Sequence, residues 1–558
     1  MTRKQYFPLL ALVAFLFTAC GKMGDLSSDY FTTTPTVLET VGGKIPVTIT
    51  GRFPEKYFKR NAVVEVTPVL RWDGGEARGE IATFQGEKVR GNDQTISYKA
   101  GGTYTLRTSF DYRPEMAKSA LYLYFDVITK GKRITLRPVK VAEGVIATSE
   151  LPVIASARAS YAPDKFQRIL KEAQDASILF LIQQAELRKS QTNSDDVQNF
   201  HESVAAVAAD KKKYRLENIE ISAYASPDGG VNLNSKLAAQ REKNTEKYVK
   251  GQLKKEGINT YVDTKYTAQD WEGFKELVSK SNIQDKELIL RVLSMYTDPE
   301  RREAEIKNIS SVFKNLADEI LPQLRRARLT ANYEVIGRSD EEITAALEKE
   351  PHMLSIDEIL YAATLTNDEV SKAQIFRTAI AHYPQDARAY NNLGLLAYSI
   401  GEYASATDYF RQALEKNLQS PEANSNLALV ALKDGNVAQA EGYLARANGA
   451  NGVGEVLGHL YIKRGEYSKA VSAFGGTKSN GAALAQLLAK DYNQAKQTLE
   501  AIAQPDAYTH YLMAIIGART NNASLVRSSM SKVSVLNPAL VQAARADREF
   551  ARYANEIR

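Results

Sequence analysis

The chain has 558 residues, of which 44% are hydrophobic and 25% are charged, and 72 basic side chains stand against 66 acidic ones. This is ordinary globular composition, enough for roughly three or four domains, and it excludes a disordered or collagen-like chain. The net charge of +6 is small for this length, so no nucleic-acid partner is predicted. The five histidines are scattered and the one cysteine is Cys20, so no metal site, cofactor or disulfide framework is expected.

The amino terminus has the pattern of an export signal. Arg3 and Lys4 precede an apolar run from Tyr6 to Phe17, which is too short to span a membrane. The run ends in the sequence Leu-Phe-Thr-Ala-Cys, which resembles the lipobox of bacterial lipoproteins. The resemblance implies a signal peptide over residues 1–19, a lipid on Cys20 and a lipidated linker over residues 20–32.

Gly21 follows the cysteine where an Asp is associated with inner-membrane retention, so the resemblance implies an outer-membrane anchor, with the protein facing the periplasm. Several buried methylenes anchor such a protein stably without a transmembrane helix. The alternative is a secretory peptide cut after Ala19, which would leave a soluble periplasmic protein.

Residues 33–150 are predicted to form an all-β sandwich of about seven strands. Apolar and polar residues alternate over 45–50, 62–70 and 121–127, which is the period of a half-buried strand. Glycine-containing turns, such as Asp73–Gly75, break the runs at hairpin spacing. Since the segment contains no histidine, no Ser, His and acid set can be built in it, and no catalytic role is predicted.

Residues 165–338 change to a mixed pattern of helices and strands. Strands are predicted at 177–182 and 219–224, with a helix over 197–209 between them. The second strand leads into the turn cluster Ala225–Gly230. The helix that follows brings Asn234, Leu237 and Arg241 onto one face through spacings of three and four.

This strand, turn and helix, Ile219–Tyr248, resemble the OmpA-like domain, a periplasmic module that binds peptidoglycan. Leu324–Leu329 resembles the family's closing strand with its two arginines. The resemblance implies an α+β fold over residues 165–338, in which residues 271–322 form an unusually long helical insertion before the last strand.

The resemblance also implies a binding site for a diaminopimelate stem residue. Arg241 matches the arginine that binds the carboxylate, and Asn234 lies on the same helix face. The aspartate that pairs with the ammonium group aligns with Ser226, and Asp228 follows two residues later as a candidate substitute. The alternative is a fold kept for its shape and its protein contacts, with Arg241 in a structural pair.

After residue 340 the sequence repeats itself every 34 residues. The matching pairs are Leu393 and Leu427, Gly401 and Gly435, Ala406 and Ala440, and Ala413 and Ala447. The pattern of small and aromatic residues resembles the tetratricopeptide repeat. The resemblance implies an all-α solenoid over 340–558, with about five to six repeats and a capping helix over residues 539–557.

The first helix of each repeat is predicted to line a concave groove for partner proteins. The predicted groove residues are Asn391, Asn392, Leu395, Tyr398, Ser425, Asn426, Leu429 and Lys433. Asn392 and Asn426 are equivalent and could hydrogen-bond an extended peptide; the alternative is that they brace neighbouring repeats. A carboxyl-terminal peptide is not the expected ligand, because Asn391 stands where chaperone-binding relatives have a lysine.

These elements predict a multidomain, non-enzymatic scaffold of the outer membrane. Its predicted partners are the membrane through the lipid, envelope proteins through the repeat groove, and peptidoglycan through the OmpA-like domain. It would then be a subunit of an envelope assembly or secretion complex. The alternatives are a soluble periplasmic chaperone and a hydrolase of envelope polymers, for which the sequence shows no phosphate loop, metal-ligand spacing or nucleophile elbow.

Overall fold

The computed structural model describes residues 23–283, 285–308 and 316–557. The predicted signal peptide over 1–19 and the predicted lipidation site Cys20 lie outside these residues. The chain divides into two compact units. One contains the residues up to Pro163 together with Asn367–Arg558, and the other, the central unit, contains Asp164–Thr366. Within the described residues, no helix combines the length and apolar character that crossing a membrane requires.

The amino-terminal region is β-rich and forms two sheets. Its described strands are β1 (Phe31–Thr34), β2 (Val37–Glu39), β3 (Lys44–Phe53), β4 (Ala62–Trp72), β5 (Gly75–Arg78), β6 (Ala82–Gly86), β7 (Gln94–Ile96), β8 (Gly102–Asp111), β9 (Ser119–Thr129), β10 (Lys132–Thr135) and β11 (Val139–Ile146). One sheet has the order β1-β3-β8 and the other β2-β11-β9-β4-β6-β7, with β5 beside β4 and β10 beside β9. We expected about seven strands; the additional ones are only three to five residues long, too short for a clear alternation.

The two sheets enclose one hydrophobic core. Alternate residues of β3 and β9, including Ile45, Ile49 and Leu121, point into it and are fully buried. Across the β3–β8 pair, the ring of Tyr104 lies over Gly51, where a Cβ atom would come within 2.2 Å of the ring. The glycine therefore leaves the space into which this aromatic side chain packs.

The described residues before β1 are packed rather than free. Met23 and Leu26 are buried in the same core, and the hydroxyl of Tyr57 donates a hydrogen bond to the carbonyl of Gly24 at 2.6 Å. Residues 23–32, which were expected in a linker, therefore belong to the β-rich region, because Met23 and Leu26 are buried in its core.

The central unit is a four-stranded sheet with helices. Its elements are β12 (Ile169–Leu179), α1 (Lys189–Thr192), α2 (Asp195–Ala209), β13 (Tyr214–Tyr224), α3 (Val231–Glu256), β14 (Tyr261–Thr267), α4 (Trp271–Lys280), α5 (Lys286–Met295), α6 (Pro299–Asn308), α7 (Leu321–Leu324), β15 (Arg326–Ile336), α8 (Asp340–Lys349) and α9 (Ile356–Ala362). The strand order is β12-β15-β13-β14, with β13 and β14 parallel and the other neighbours antiparallel. Helices α2 and α3 cover one face through apolar residues such as Phe200 and Val249.

The helices between β14 and β15 have a small core of their own, which includes Trp271, Phe274 and Leu293. Helices α8 and α9 also belong to the central unit, although we expected the repeat array to begin at residue 340. Arg168 donates to Asp340, and the rings of Phe166 and Tyr361 lie 4.5 Å apart between centroids. These contacts hold both helices against the start of the central unit, which a helical period alone does not reveal.

The carboxyl-terminal region is all-α. Its helices are α10 (Glu369–His382), α11 (Ala387–Ser399), α12 (Tyr403–Lys416), α13 (Pro421–Lys433), α14 (Val437–Leu444), α15 (Val453–Lys463), α16 (Tyr467–Phe474), α17 (Asn480–Leu488), α18 (Tyr492–Glu500), α19 (Ala507–Arg519), α20 (Ala523–Leu536) and α21 (Pro538–Ala546). Consecutive helices from α11 to α20 form five antiparallel pairs, and α10 and α21 flank them. The capping helix expected over 539–557 ends at Ala546, and a turn at Arg548–Phe550 follows it.

Small residues set the distance between the helices of a pair. Gly394 on α11 faces Phe410 on α12, which is fully buried, and a Cβ atom on this glycine would lie 2.6 Å from the ring. Gly458 and Phe474 repeat the arrangement in a later pair. The glycine thus lets the ring fill the space between two helices.

We expect Gly394→Ala to destabilise the repeat region by about 1–3 kcal/mol, because the new methyl group overpacks against the Phe410 ring. The measurement is the apparent melting temperature of the full chain. Gly442→Ala is the matched control, since Gly442 is an exposed helical glycine with no atom within 4 Å of its added Cβ. There we expect no loss and a gain of up to about 1 kcal/mol. A variant Gly394→Ala as stable as Gly442→Ala would contradict the packing argument.

Candidate functional site

The concave face of the repeat helices holds a stretch of the same chain. Residues 148–163, here called the groove segment, leave the β-rich region after β11 and run along the first helices of successive pairs. Glu150 pairs with Lys463 on α15 at 2.9 Å, Ser160 contacts α13, and Ala162 contacts α11. The groove segment therefore runs opposite to the order of the repeats.

Two asparagines bind the backbone of the groove segment in the same way. Asn392 accepts a hydrogen bond from the N–H of Ala162 at 2.9 Å and donates one to its carbonyl at 3.0 Å. Asn426 does the same for Ser160, at 2.5 and 2.9 Å. Each side-chain amide thus pairs with both backbone groups of one residue, as a neighbouring strand would.

The spacing of these contacts matches an extended peptide on a repeating surface. Asn392 and Asn426 are 34 positions apart, one repeat, while the residues that they hold are two apart and therefore lie on the same side of an extended chain. Asn391 adds a bond from its amide to the Ser160 carbonyl at 3.0 Å. All three asparagines are fully buried. These hydrogen bonds are made to backbone groups. They therefore require an extended conformation of the bound peptide but no particular side chains.

Apolar side chains complete the contact. Ile154 and Ala157 of the groove segment are buried in one cluster with Tyr398 and Leu429, and Val153 is buried with residues of the later repeats. The side chains close to the asparagines are small, Ser160 and Ala162 among them. Because the side chains of Ser160 and Ala162 are small, the backbone of the groove segment comes close enough to the helices for direct hydrogen bonds.

The central unit brings the predicted ligand residues together in a different arrangement. Ser226 donates to Asp228, and Arg325 bonds both, at 3.3 Å to the serine hydroxyl and 3.2 Å to the carboxylate. Asn234 donates to the carbonyls of Ser226 and Gly229, each at 2.9 Å. Asp228 is thus paired with an arginine, and Asn234 fixes the turn.

Arg241 lies beneath this turn with no exposed surface. Its guanidinium donates to three backbone carbonyls, those of Tyr224 at 2.8 Å, Gln184 at 2.9 Å and Leu181 at 3.1 Å. Burial, together with the nearby charge of Arg325, lowers the pKa of Arg241 to about 10. Arg241 therefore joins the backbone just before the turn to the loop that carries Leu181 and Gln184, and in this arrangement it does not reach a ligand carboxylate.

The helical stretch after β14 lies beside the same turn. Pro227 and Asp228 share a cavity of only about 20 Å³ with Trp271 and Phe274. Asp270 at the start of α4 pairs with Arg326 at 3.1 Å, and burial raises the pKa of this carboxyl. Arg325 and Arg326 are adjacent in the sequence, but Arg325 pairs with Asp228 and Arg326 pairs with Asp270.

Comparisons with known proteins bear on the carboxyl-terminal helices. A family model described as tetratricopeptide repeat matches residues 371–415 and 397–452. The carboxyl-terminal region contains tetratricopeptide repeats. No match is found among curated proteins.

Several solved structures are similar to these repeats at low identity. A tetratricopeptide repeat protein from Parabacteroides merdae is 17% identical over 36% of this chain and 85% of its own, with a TM-score of 0.28. PilF of Pseudomonas aeruginosa is 16% identical over 36% of this chain and 95% of its own, with a TM-score of 0.27. YrrB, described as a TPR protein with an unusual peptide-binding site, is 19% identical over 37% of this chain and 98% of its own, with a TM-score of 0.22.

The tetratricopeptide groove expected to receive partners is occupied by the chain itself. Of the eight predicted groove residues, Asn391, Asn392, Ser425 and Asn426 hydrogen-bond the groove segment or one another, and Tyr398 and Leu429 pack beside it. Leu395 and Lys433 are half-buried, and Lys433 lies over the ring of Tyr403 at 3.8 Å. In this structure the residues form an internal contact, because the groove segment is tethered next to them.

Two features that matter were missed in the sequence. The groove segment contains Pro152, Pro163 and small residues without a periodic pattern, so nothing marked it as a ligand. The sequence pattern places Arg325 only in a closing strand, yet it is the residue that pairs with Asp228. The two adjacent arginines were the available signal, because they stand one strand away from the acidic turn.

The tetratricopeptide repeats contain a buried histidine on α15. His459 on α15 is 4% exposed, and its Nε2 has no hydrogen-bond partner among the described residues. Burial, with the nearby charge of Lys463, lowers the pKa of His459 to about 3. The imidazole is therefore neutral in the folded protein, whereas in the unfolded chain it takes up a proton at about pH 6.5.

We expect the stability of the repeats to fall as the pH is lowered from about 6.5, by up to about 1.4 kcal/mol per pH unit for this one group, because the unfolded state binds the proton. Above about pH 6.5 this contribution does not change. His459→Gln should flatten the slope of unfolding free energy between pH 6.5 and 5. The exposed His352→Gln is the control; equal slopes in the two variants would refute the assignment.

Proposed function

We propose that this protein is a non-catalytic scaffold of the cell envelope, anchored in the outer membrane by a lipid on Cys20, which binds other envelope proteins as part of an assembly or secretion complex. The observation that carries the proposal is the groove segment, which joins the β-rich region and the tetratricopeptide repeats into one unit. Stacked repeats of this kind present extended surfaces for protein partners.

The contact between the two regions extends beyond the groove. Arg519, paired with the buried Glu549, lies 3.5 Å from Glu39 of β2, and Arg548 pairs with Glu143 of β11 at 2.7 Å. These contacts favour a fixed arrangement of the β-rich region and the repeats over two regions that move independently. We therefore propose that partners bind the exposed surfaces of this unit, while the concave groove serves the chain itself.

Site-specific crosslinking in intact cells tests where partners bind. A photo-reactive amino acid at the exposed Leu418 should give crosslinks to other envelope proteins, identified by mass spectrometry. The same probe at Leu395, on the groove helix α11, should give mainly an internal product with the groove segment. Partner crosslinks at Leu395 with none at Leu418 would reverse this assignment and make the groove the partner site.

The lipid anchor is tested by metabolic labelling with palmitate. We expect wild-type protein to incorporate label and to enter the detergent phase on partitioning, and Cys20→Ala to do neither, because the thioether would be the only attachment point. Unlabelled wild-type protein in the aqueous phase would instead support the soluble periplasmic chaperone.

Peptidoglycan binding by the central unit is the second candidate. It is supported by the resemblance of residues 219–248 to OmpA-like domains and by an acidic turn beside an arginine, Asp228 and Arg325. It is opposed by the burial of Arg241. Asp228 is the more direct test residue, because its side chain keeps some exposure, 20%, and could pair with an ammonium group.

Co-sedimentation with purified sacculi decides this point. If the turn binds a diaminopimelate stem residue, Asp228→Asn lowers the bound fraction about tenfold or more, since a charge-assisted hydrogen bond is lost. Asp263→Asn, at an exposed position of β14, is the matched control. Equal pelleting of both variants and wild type would exclude the turn as the site. Turnover of sacculi by the purified chain would favour the envelope-polymer hydrolase instead.

A further inference from the structure

A second concave feature lies in the unit formed by the β-rich region and the repeats. It is a cleft of about 950 Å³ between the ends of strands β4 and β9 on one side and α21 with the residues after it on the other. Trp72 and Ser119 are paired across β4 and β9 and lie on its wall. No residue of the groove or of the acidic turn contributes to this cleft.

The cleft has a fixed aromatic wall. The indole of Trp72 lies across Gly75 of the next strand, where a Cβ atom would come within 2.5 Å of the ring. The ring is half-buried, and the half-buried Tyr122 lines the same cleft. An indole ring held by a hairpin offers an apolar face to a ligand. Its side chain is already ordered, so binding costs little side-chain conformational entropy.

Basic side chains outnumber acidic ones among the residues that line the cleft. Its basic side chains are Arg71, Lys118, Arg545 and Arg548, and its acidic ones are Asp73 and Asp547. Arg548 is paired with Glu143 at 2.7 Å, and Arg71 lies 3.9 Å from Glu76. Lys118 and Arg545 are exposed, and no carboxylate of the described chain lies within 4.0 Å of either charge. Two cations are therefore available for an anion that enters the cleft.

A buried hydroxyl completes the set. Ser119 is only 4% exposed, and its Oγ has no hydrogen-bond partner among the described residues. Buried polar groups are nearly always paired, so an unpaired one on a cleft wall indicates a missing partner. A ligand with hydroxyl groups can supply it.

We propose that this cleft binds an acidic saccharide. The sugar ring packs its C–H face against Trp72, its carboxylate lies between Lys118 and Arg545, and a ring hydroxyl bonds Ser119. An acidic peptide would satisfy the two cations but leave the indole face and the serine without matching groups. The carboxylated sugar is the class that uses all three features together.

The test is a titration of the full chain, purified in detergent, with trigalacturonate as the probe. Trp72 and Trp271 are the two tryptophans of the sequence, so Trp271→Phe leaves Trp72 as the sole fluorescent reporter. We expect a saturable change in its fluorescence, weakened at high salt, and binding of neutral galactotriose at least about tenfold weaker. Calorimetry on the unsubstituted chain provides the same comparison if the reporter variant folds poorly.

Substitutions at the cleft separate this ligand from others. Lys118→Ala and Arg545→Ala should each weaken trigalacturonate binding about tenfold, while Lys132→Ala on the exposed strand β10 leaves it unchanged. Ser119→Ala should weaken binding without destabilising the fold, because it removes an unpaired buried hydroxyl. The proposal is overturned by no binding, by equal binding of polyglutamate or inorganic phosphate, or by equal affinity in the Lys118 and Lys132 variants.

Discussion

The double variant Asn392→Ala, Asn426→Ala is expected to release the groove segment from the tetratricopeptide repeats. Both substitutions remove an amide that bonds the N–H and the carbonyl of one segment residue. While the segment stays bound, the Ser160 N–H and both backbone groups of Ala162 are buried and unpaired, at about 1–3 kcal/mol each, whereas the Ser160 carbonyl keeps its bond from Asn391. Once the segment detaches, its backbone groups can bond water, which limits the loss. We therefore expect the free energy of unfolding of this unit to fall by about 2–4 kcal/mol and the segment to become mobile.

Limited trypsin digestion measures this release. Arg158 lies in the middle of the groove segment and is exposed, but the backbone around it is held against the helices. Cleavage after Arg158 should become at least about tenfold faster in the double variant, because local opening exposes the backbone to the protease. Asn451→Ala, at an exposed turn of the repeats, is the control. Unchanged cleavage in the double variant would show that the asparagines do not hold the segment.

The second large effect is expected for Arg241→Met in the central unit. Methionine fills similar space but removes the guanidinium that donates to the carbonyls of Leu181, Gln184 and Tyr224. The carbonyls of Gln184 and Tyr224 then lose a donor, whereas the carbonyl of Leu181 keeps a bond from the N–H of Gln184, so we expect a loss of about 2–4 kcal/mol. Denaturant unfolding followed by the fluorescence of Trp271, which lies in this unit, gives the measurement when Trp72 is replaced by Phe.

Lys243→Met on the same helix is the matched control, because Lys243 is exposed and two positions from Arg241. Its effect should stay within about 0.5 kcal/mol. If Arg241→Met were as stable as this control, the guanidinium would not brace the turn, and the role in ligand binding implied by the OmpA-like resemblance would regain its support.

Local period and spacing predicted much of the fold. The alternation in β3, β4 and β9 gave these strands, since each buries one face against the core. The period of 34 gave Asn392 and Asn426 as equivalent positions on the concave face. Strands such as β2 were missed, because three residues have no period and β2 is defined by pairing with β11, about a hundred residues away.

The candidate sites were harder to predict because they depend on distant parts of the chain. The helix spacing predicted that Arg241 shares one face with Asn234, but the acceptors of Arg241 include Leu181 and Gln184, in a loop whose path no pattern reveals. The groove asparagines were found, but their occupant lies more than 200 positions earlier in the sequence. Residue type showed what each side chain can bind, and only the tertiary structure showed which partner it meets.

The position of the central unit within the chain has a consequence for biosynthesis. The ribosome makes the groove segment first, then the roughly 200 residues of Asp164–Thr366, and only then the helices that receive it. At about 5–20 residues per second, the peptide waits roughly 10–40 s for its groove. When the first repeats emerge, the tethered peptide is already present at high effective concentration, so nascent-chain order favours the internal ligand over any competitor from another polypeptide.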